Sequence, residues 1–149
     1  REYKTRVGLP FKALSTPNTV RDPRLSMLID AGLYYLSVGV QTGSDRMRKL
    51  YRRPETNEQI LRAVDVIAKY RDKLEARYDF IIDSPWESDE DTEASLRLAT
   101  SLSSNRALAI FSLTLYPGTE LHDKARLEGV ITDDLTQVYR KEVCTENRT

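Results

Sequence analysis

The chain has 149 residues, 40% hydrophobic and 31% charged, which suits one soluble domain with a real core. Its 23 Lys plus Arg balance 23 Asp plus Glu, so no net charge draws it to DNA, RNA or an anionic membrane, although a local basic groove stays open. No apolar run approaches the ~20 residues of a membrane span, and no signal-peptide pattern opens the chain.

The first residue is Arg1 rather than Met, and the sequence reads as a piece of a longer chain. Four strand-then-helix units follow, with no low-complexity segment. The first runs from "VGLPFKALST" into "DPRLSMLIDAG", with Asp22 as N-cap, Pro23 at the first helical position and Gly32 as the stop. The second is "YYLSVGVQT" followed by "SDRMRKLY", capped by Ser44. After a loop through Arg53 and Pro54, Thr56 and Gln59 form a capping-box pair that opens a helix to about Leu74. Ile60, Leu61, Val64, Ile67 and Ala68 recur along it at helical spacing, so one face is core.

The third unit is "RYDFIIDSP" followed by "SDEDTEASLRLATSL". Ser88 is the cap, and Asp89, Glu90 and Asp91 suit the positive end of the helix dipole. The fourth is "LAIFSLTLYPGT" followed by "ELHDKARLEG", with Thr119 as cap, Gly129 as stop and His122 read as a solvated surface residue. Residues 131–149 form a weakly specified, partly helical tail carrying Cys144, the only cysteine, read as an inert thiol. One cysteine makes no intrachain disulfide, fits a cytoplasmic protein, and cannot hold a cysteine-ligated cluster alone.

Strands alternating with helices predict a parallel α/β sheet with right-handed crossovers. The runs "DFII" and "LAIFSLTL" are almost continuously apolar, as in strands covered on both faces. An open doubly wound sheet and an arc of a (β/α) barrel both satisfy the pattern, and both bind ligands beyond the carboxyl ends of their strands. Four such ends gather polar groups, Gly or Pro: Pro17-Asn18, Gln41 to Ser44, Asp83 to Glu87, and Tyr116 to Thr119. They would form one rim, where Gly43 and Gly118 suit close approach or a positive φ. Ordinary loops with turn residues are the bland alternative at each end.

The rim carries hydroxyls, amides and few cations. The sequence has no G-x-x-x-x-G-K-[ST], no G-x-G-x-x-G and no G-x-S-x-G, and no histidine partner for a serine nucleophile. Asp83 and Glu87 are candidates for a carboxylate pair whose separation the sequence does not fix. A neutral polar ligand with hydroxyls and an aromatic ring, such as a nucleoside, suits this rim.

The stretch "IDAGLYYLSVGVQTGSDRMRKLYRRPETNEQILRA" resembles the middle of radical S-adenosylmethionine (SAM) enzymes, closest to the branch whose members often carry an upstream cobalamin-binding domain. "YDFIIDSPWESDEDTEASLRLA" and "FSLTLYPGTELHDKARLEGVI" resemble the next two units of the same core, so the likeness runs from Pro10 to Ile131. It implies a partial TIM barrel, a (β/α)6 arc, of which residues 1–149 hold the third to sixth strands. It also implies a [4Fe–4S] cluster on a Cys-x3-Cys-x2-Cys loop, whose unique iron chelates SAM and cleaves it to a 5′-deoxyadenosyl radical. The cysteine motif is not in this sequence, so the upstream half of the barrel is the expected partner and the piece alone is expected to be inactive.

Carried over residue by residue, the resemblance implies that Gln41, Thr42 and Ser44 contact the ribose or methionine part of the cofactor. Ile82, Asp83 and Ser84 fall against the adenine, with glycine in many relatives where Asp83 stands. Leu115 and Tyr116 close over the adenine, and Arg52 or Arg53 lies near the cofactor's charged end. Trp86 faces either the substrate or the protein interior. Two rival readings are a non-catalytic binding or assembly module that offers "LPFKALST" as an open edge, and an unrelated (β/α) hydrolase or aldolase segment, which lacks a strand-end lysine and a triad.

Overall fold

The computed structural model describes residues 2–102 and 107–140; Cys144 lies outside the described residues. The elements in order are α1 (Glu2–Arg6), β1 (Phe11–Ser15), a 3-10 turn (Pro17–Thr19), α2 (Asp22–Ala31), β2 (Leu33–Gln41), α3 (Asp45–Leu50) and α4 (Asn57–Ala68). There follow β3 (Glu75–Ile82), α5 (Asp89–Ser101), β4 (Ala107–Ser112), α6 (Glu120–Leu127) and a π-helical turn (Leu135–Tyr139).

The four strands make one parallel sheet in the order β1-β2-β3-β4. A doubly wound sheet reverses its strand order at a switch point, and this one does not. Leu36, Val38 and Val40 of β2 and Ala76, Tyr78 and Phe80 of β3 form one buried core with Leu25 of α2, Ile60, Val64 and Ile67 of α4, and Leu98 of α5. Helices stacked on one face of a sequentially ordered parallel sheet make an arc of a barrel. The other face is not covered by these helices, contrary to the expectation of strands buried on both sides. It carries Lys12, Leu14, Tyr35, Ser37, Gly39, Arg77 and Asp79, in register across β1, β2 and β3.

Several boundaries differ from the sequence reading. The segment before Gly8 is helical, and β1 starts at Phe11, because Gly8 takes φ 65° and Pro10 interrupts the strand. Asp22 is not the N-cap: Arg21 holds that position without a side-chain bond, and the Asp22 carboxylate instead accepts from Lys69 at 2.7 Å and from the Tyr70 hydroxyl. That tie follows the end of α4 at Ala68, short of Leu74. The caps at Ser44, Thr56 and Thr119 form as expected, each accepting from the N–H three residues on. β4 stops at Ser112, and the Leu113 N–H bonds to the Ile82 carbonyl, joining the ends of β3 and β4.

His122 is buried rather than solvated, with Nε2 3.0 Å from Asp134 Oδ1. It ties the tail to α6 beside a second small core of Ala125, Ile131 and Val138.

Candidate functional site at the carboxyl ends of the strands

β2 ends in a bulge: Gly39 pairs with Asp79 while Gln41, two residues on, pairs with the adjacent Phe80. Gln41 absorbs the irregularity in the left-handed region, at φ 72°. Its side chain folds over Gly39, where an added Cβ would lie 2.6 Å from Gln41 Nε2. Arg53 stands on the same spot, with a terminal nitrogen 3.8 Å from that Cβ position.

Gln41 and Arg53 line a cavity of about 430 Å³ with Leu14, Ser15, Thr16, Thr19, Ser37, Gly39 and Asp79. Its floor is polar and organised: Asp79 accepts from the Ser37 hydroxyl and from Arg77 Nε at 2.8 Å. Among the described residues the half-buried Arg53 guanidinium has no carboxylate or hydrogen-bonding partner. A partnerless cation in a polar cleft suits an anionic ligand group.

Thr42 and Ser44 turn the other way. Thr42 is fully buried with Oγ1 2.9 Å from Ser95 Oγ, and the Gly43 N–H donates to the same Ser95 oxygen at 2.9 Å. The Ser44 hydroxyl donates to Asp91, which also accepts from Arg46 and from the Ser88 N–H at 2.9 Å. Arg46 foremost, then Ser44 and Ser88, hold the Asp91 carboxyl well below the usual range, against the desolvation that would raise it. Arg48, also buried, donates to the Thr42 carbonyl at 3.2 Å and to Asn57 Oδ1 at 2.6 Å, and pairs with Asp45. These groups fasten the strand end to α3, α4 and α5; only Gln41 and its neighbours face the cavity.

At the end of β3, Asp83 is exposed and left-handed at φ 60°, a backbone conformation that Gly, Asn and Asp tolerate best. Ile82 is half-buried. Ser84 is buried beside the Tyr51 hydroxyl; neither oxygen finds a hydrogen bond of good geometry, and burial pushes the Tyr51 phenol up. Burial also raises the Glu87 carboxyl, with Asp91 and Asp83 adding to the effect. Leu115 packs into the second core, and Tyr116 is exposed. Trp86 packs beside the second core and donates Nε1–H to Glu128 at 2.6 Å. Arg52 pairs with Glu120.

Of the residues expected to meet a cofactor, the cavity therefore brings together Gln41 and Arg53. It adds Ser37, Gly39 and Asp79, which the sequence reading placed inside covered strands. Their signal was a period of two: Tyr35, Ser37, Gly39 and Gln41 alternate with Leu36, Val38 and Val40, and Arg77 and Asp79 alternate with Ala76, Tyr78 and Phe80.

The profile of the radical SAM superfamily matches residues 2–99. The chain belongs to the radical SAM superfamily. Relatives include the tRNA-2-methylthio-N(6)-dimethylallyladenosine synthases of Paracoccus denitrificans, 31% identical over 80% of this chain and 27% of the relative, and of Cereibacter sphaeroides, 36% identical over 71% and 24%. The radical SAM chain thus spans about a quarter of the length of these relatives. Among solved structures, coproporphyrinogen III oxidase (HemN) from Escherichia coli superposes with a TM-score of 0.62 at 22% identity, covering 72% of this chain and 24% of that one. Elp3 of Methanocaldococcus infernus gives 0.66 at 17%, covering 80% and 28%. Both likenesses show the partial-barrel fold.

Radical SAM enzymes use SAM and a [4Fe–4S] cluster. The cavity fits SAM: its volume lies in the ~300–1,000 Å³ range of small-molecule sites, its lining is rich in hydroxyls, and Arg53 offers an uncommitted cation. The cluster does not fit the residues present. Among the described residues no group of three or more His, Cys, Asp or Glu could hold a metal ion, and the sequence holds one cysteine. No helix among them is long and apolar enough to cross a membrane.

Proposed function

We propose that this chain is the part of a radical SAM core that seats the cofactor's ribose and methionine portion at the end of β2. The observation that carries the reading is the half-buried, partnerless Arg53 beside Gln41 and Gly39. Arg53 would take the SAM carboxylate, and Gln41 would hydrogen-bond the ribose or amino group. Thr42, Ser44, Asp91 and Ser95 would hold that ledge in place. Asp83, with Ile82 and Ser84 beside it, would offer the adenine a backbone edge, and Tyr116 would shield its outer side. SAM, when bound to a reduced cluster, supplies a carbon radical for hydrogen abstraction; the protein orients the reactants and excludes water.

The upstream half of the barrel would supply the cluster, and the chain alone would not cleave SAM, since one cysteine cannot furnish three thiolates. A cobalamin domain upstream rests on the resemblance of residues 29–63 alone. The names of the relatives support a base in tRNA as the substrate of the parent enzyme. Zero net charge gives no long-range pull on RNA, so local cations would have to carry that recognition.

Titrating the isotopically labelled chain with SAM, followed by amide chemical shifts, tests the reading. The expected perturbations centre on Gly39, Gln41 and Arg53, with a dissociation constant weaker than about 1 μM, equivalent to roughly 8 kcal/mol, because the chelating iron is not supplied. Tighter binding, or shifts centred away from β2, would overturn it. A second reading, an assembly module, is favoured by β1 at the sheet edge with Leu14 88% exposed on the uncovered face. A clean monomer in light scattering at high concentration counts against it.

A further inference from the structure

The loop and helix after β2 concentrate charge. Between Asp45 and Arg53 stand five cations, Arg46, Arg48, Lys49, Arg52 and Arg53, against one carboxylate. Arg46 and Arg48 are committed to Asp91 and Asp45, and Arg53 faces the cofactor cavity. Lys49 and Arg52 turn instead into a separate groove of about 440 Å³ between α3 and α6, opposite Glu120 and Lys124, the latter held by Glu128 and the Trp86 ring, with Leu50, Tyr51, Thr119 and Leu121 as further walls.

Three features of this groove point to a phosphate-bearing polymer. Lys49 is exposed and, among the described residues, has no acidic partner. Arg52 pairs with Glu120 at 2.8 Å, but both side chains are at least 70% exposed, so water already screens the pair and a phosphate can replace Glu120. Glu120 would keep a partner after the exchange, because it lies in the first turn of α6, at the positive end of the helix. Tyr51 and Leu50 give the groove an apolar side on which a sugar or base edge can rest.

The groove also sits in the right place. α3 begins four residues after the end of β2, and the phenol of Tyr51, one of its walls, is beside Ser84 at the end of β3. It therefore opens on the same rim as the cofactor cavity. We infer that the α3–α6 groove seats the phosphate backbone of an RNA substrate through Lys49 and Arg52, while the target base reaches the strand-end cavity. This inference rests on the proposal that the parent enzyme acts on tRNA.

The test is fluorescence anisotropy of labelled tRNA with the purified chain, read as affinity against salt concentration. Lys49→Ala and Arg52→Ala should each lower the slope of log K against log salt by roughly 0.7–0.9 and weaken binding several-fold at low salt. Both side chains lie at the surface, and the charge reversal Lys49→Glu should weaken binding further with unchanged circular dichroism. Arg24→Ala, on the exposed side of α2, should leave the slope at the wild-type value. Salt-dependent tRNA binding that neither the Lys49 nor the Arg52 change alters would overturn the groove while the tRNA reading stands. Equal losses from Arg24→Ala would overturn it too, as binding by general charge. A wild-type chain that does not bind tRNA, or that releases it equally to polyglutamate, would sink both.

Discussion

Gly43→Ala places a methyl group where the strand-end turn touches α5. The added Cβ would overlap the Ala94 carbonyl oxygen and lie 2.7 Å from its carbon and 2.8 Å from Ser95 Cα. All three contacts are helix backbone, so no side chain can swing aside, and the turn or the helix must move by about 1 Å. Overpacking of this kind costs roughly 1–3 kcal/mol. The same displacement stretches the Gly43 N–H to Ser95 bond at 2.9 Å and the Asn57 bond to the Gly43 carbonyl at 3.0 Å, each worth about 1 kcal/mol. The expected loss is about 3–5 kcal/mol, or a fall in melting temperature of roughly 10–15 °C for a chain of this size. Urea unfolding, followed by the fluorescence of the single tryptophan and by circular dichroism, measures it. A loss below about 1 kcal/mol with a cooperative transition would refute the claim that α5 and the β2 end are locked in contact.

Gly39→Ala meets a different neighbour, the flexible end of Gln41, so stability should change by less than about 0.5 kcal/mol. SAM-induced shifts at Gln41 and Arg53 should nevertheless weaken in the titration described above. Arg48→Met removes the donor to the Thr42 carbonyl and to Asn57 inside the protein, and should cost about 2–3 kcal/mol in urea unfolding. Asp91 titrates below its ordinary range when folded, so its stabilising contribution is complete above the unfolded pKa of about 4 and is lost as pH falls through the lower folded value. Asp91→Asn should therefore flatten the acid limb of a stability-against-pH curve; an unchanged limb would show that the Arg46 contact is not made in solution.

Helix boundaries marked by side-chain caps were legible in the sequence. Ser44, Thr56 and Thr119 announced three helix starts because an N-cap is a local bargain between a hydroxyl and an N–H three residues on. Asp22 misled for a related reason. A carboxylate before a helix can cap it or can reach another element, and here Lys69 and Tyr70, 47 and 48 residues away, win it. His122 misled in the same way, since its burial depends on a tail that folds back through Asp134. The open face of the sheet was legible in principle, in the alternation of Ser37, Gly39 and Gln41 with Leu36, Val38 and Val40. The apolar runs "DFII" and "LAIFSLTL" outweighed it, although Ile81 and Phe111 in those runs are only half-buried.

The polar end of β2 looked like one ledge of side chains, and the backbone divides it. A left-handed Gln41 closes the strand with its side chain over the cavity, and the chain then turns so that Thr42 and Ser44 both bond residues of α5. The Gly43 N–H donates to Ser95 Oγ at 2.9 Å and anchors the loop before α3. The strain of a non-glycine residue at φ 72°, of the order of 1–3 kcal/mol, is balanced by buried bonds of the following residues with Ser95, Asp91 and Arg48. Asp83 repeats the arrangement at the end of β3 with φ 60°. The two neighbouring strands thus turn off through left-handed, non-glycine residues, Gln41 lining the cavity and Asp83 exposed just beyond β3.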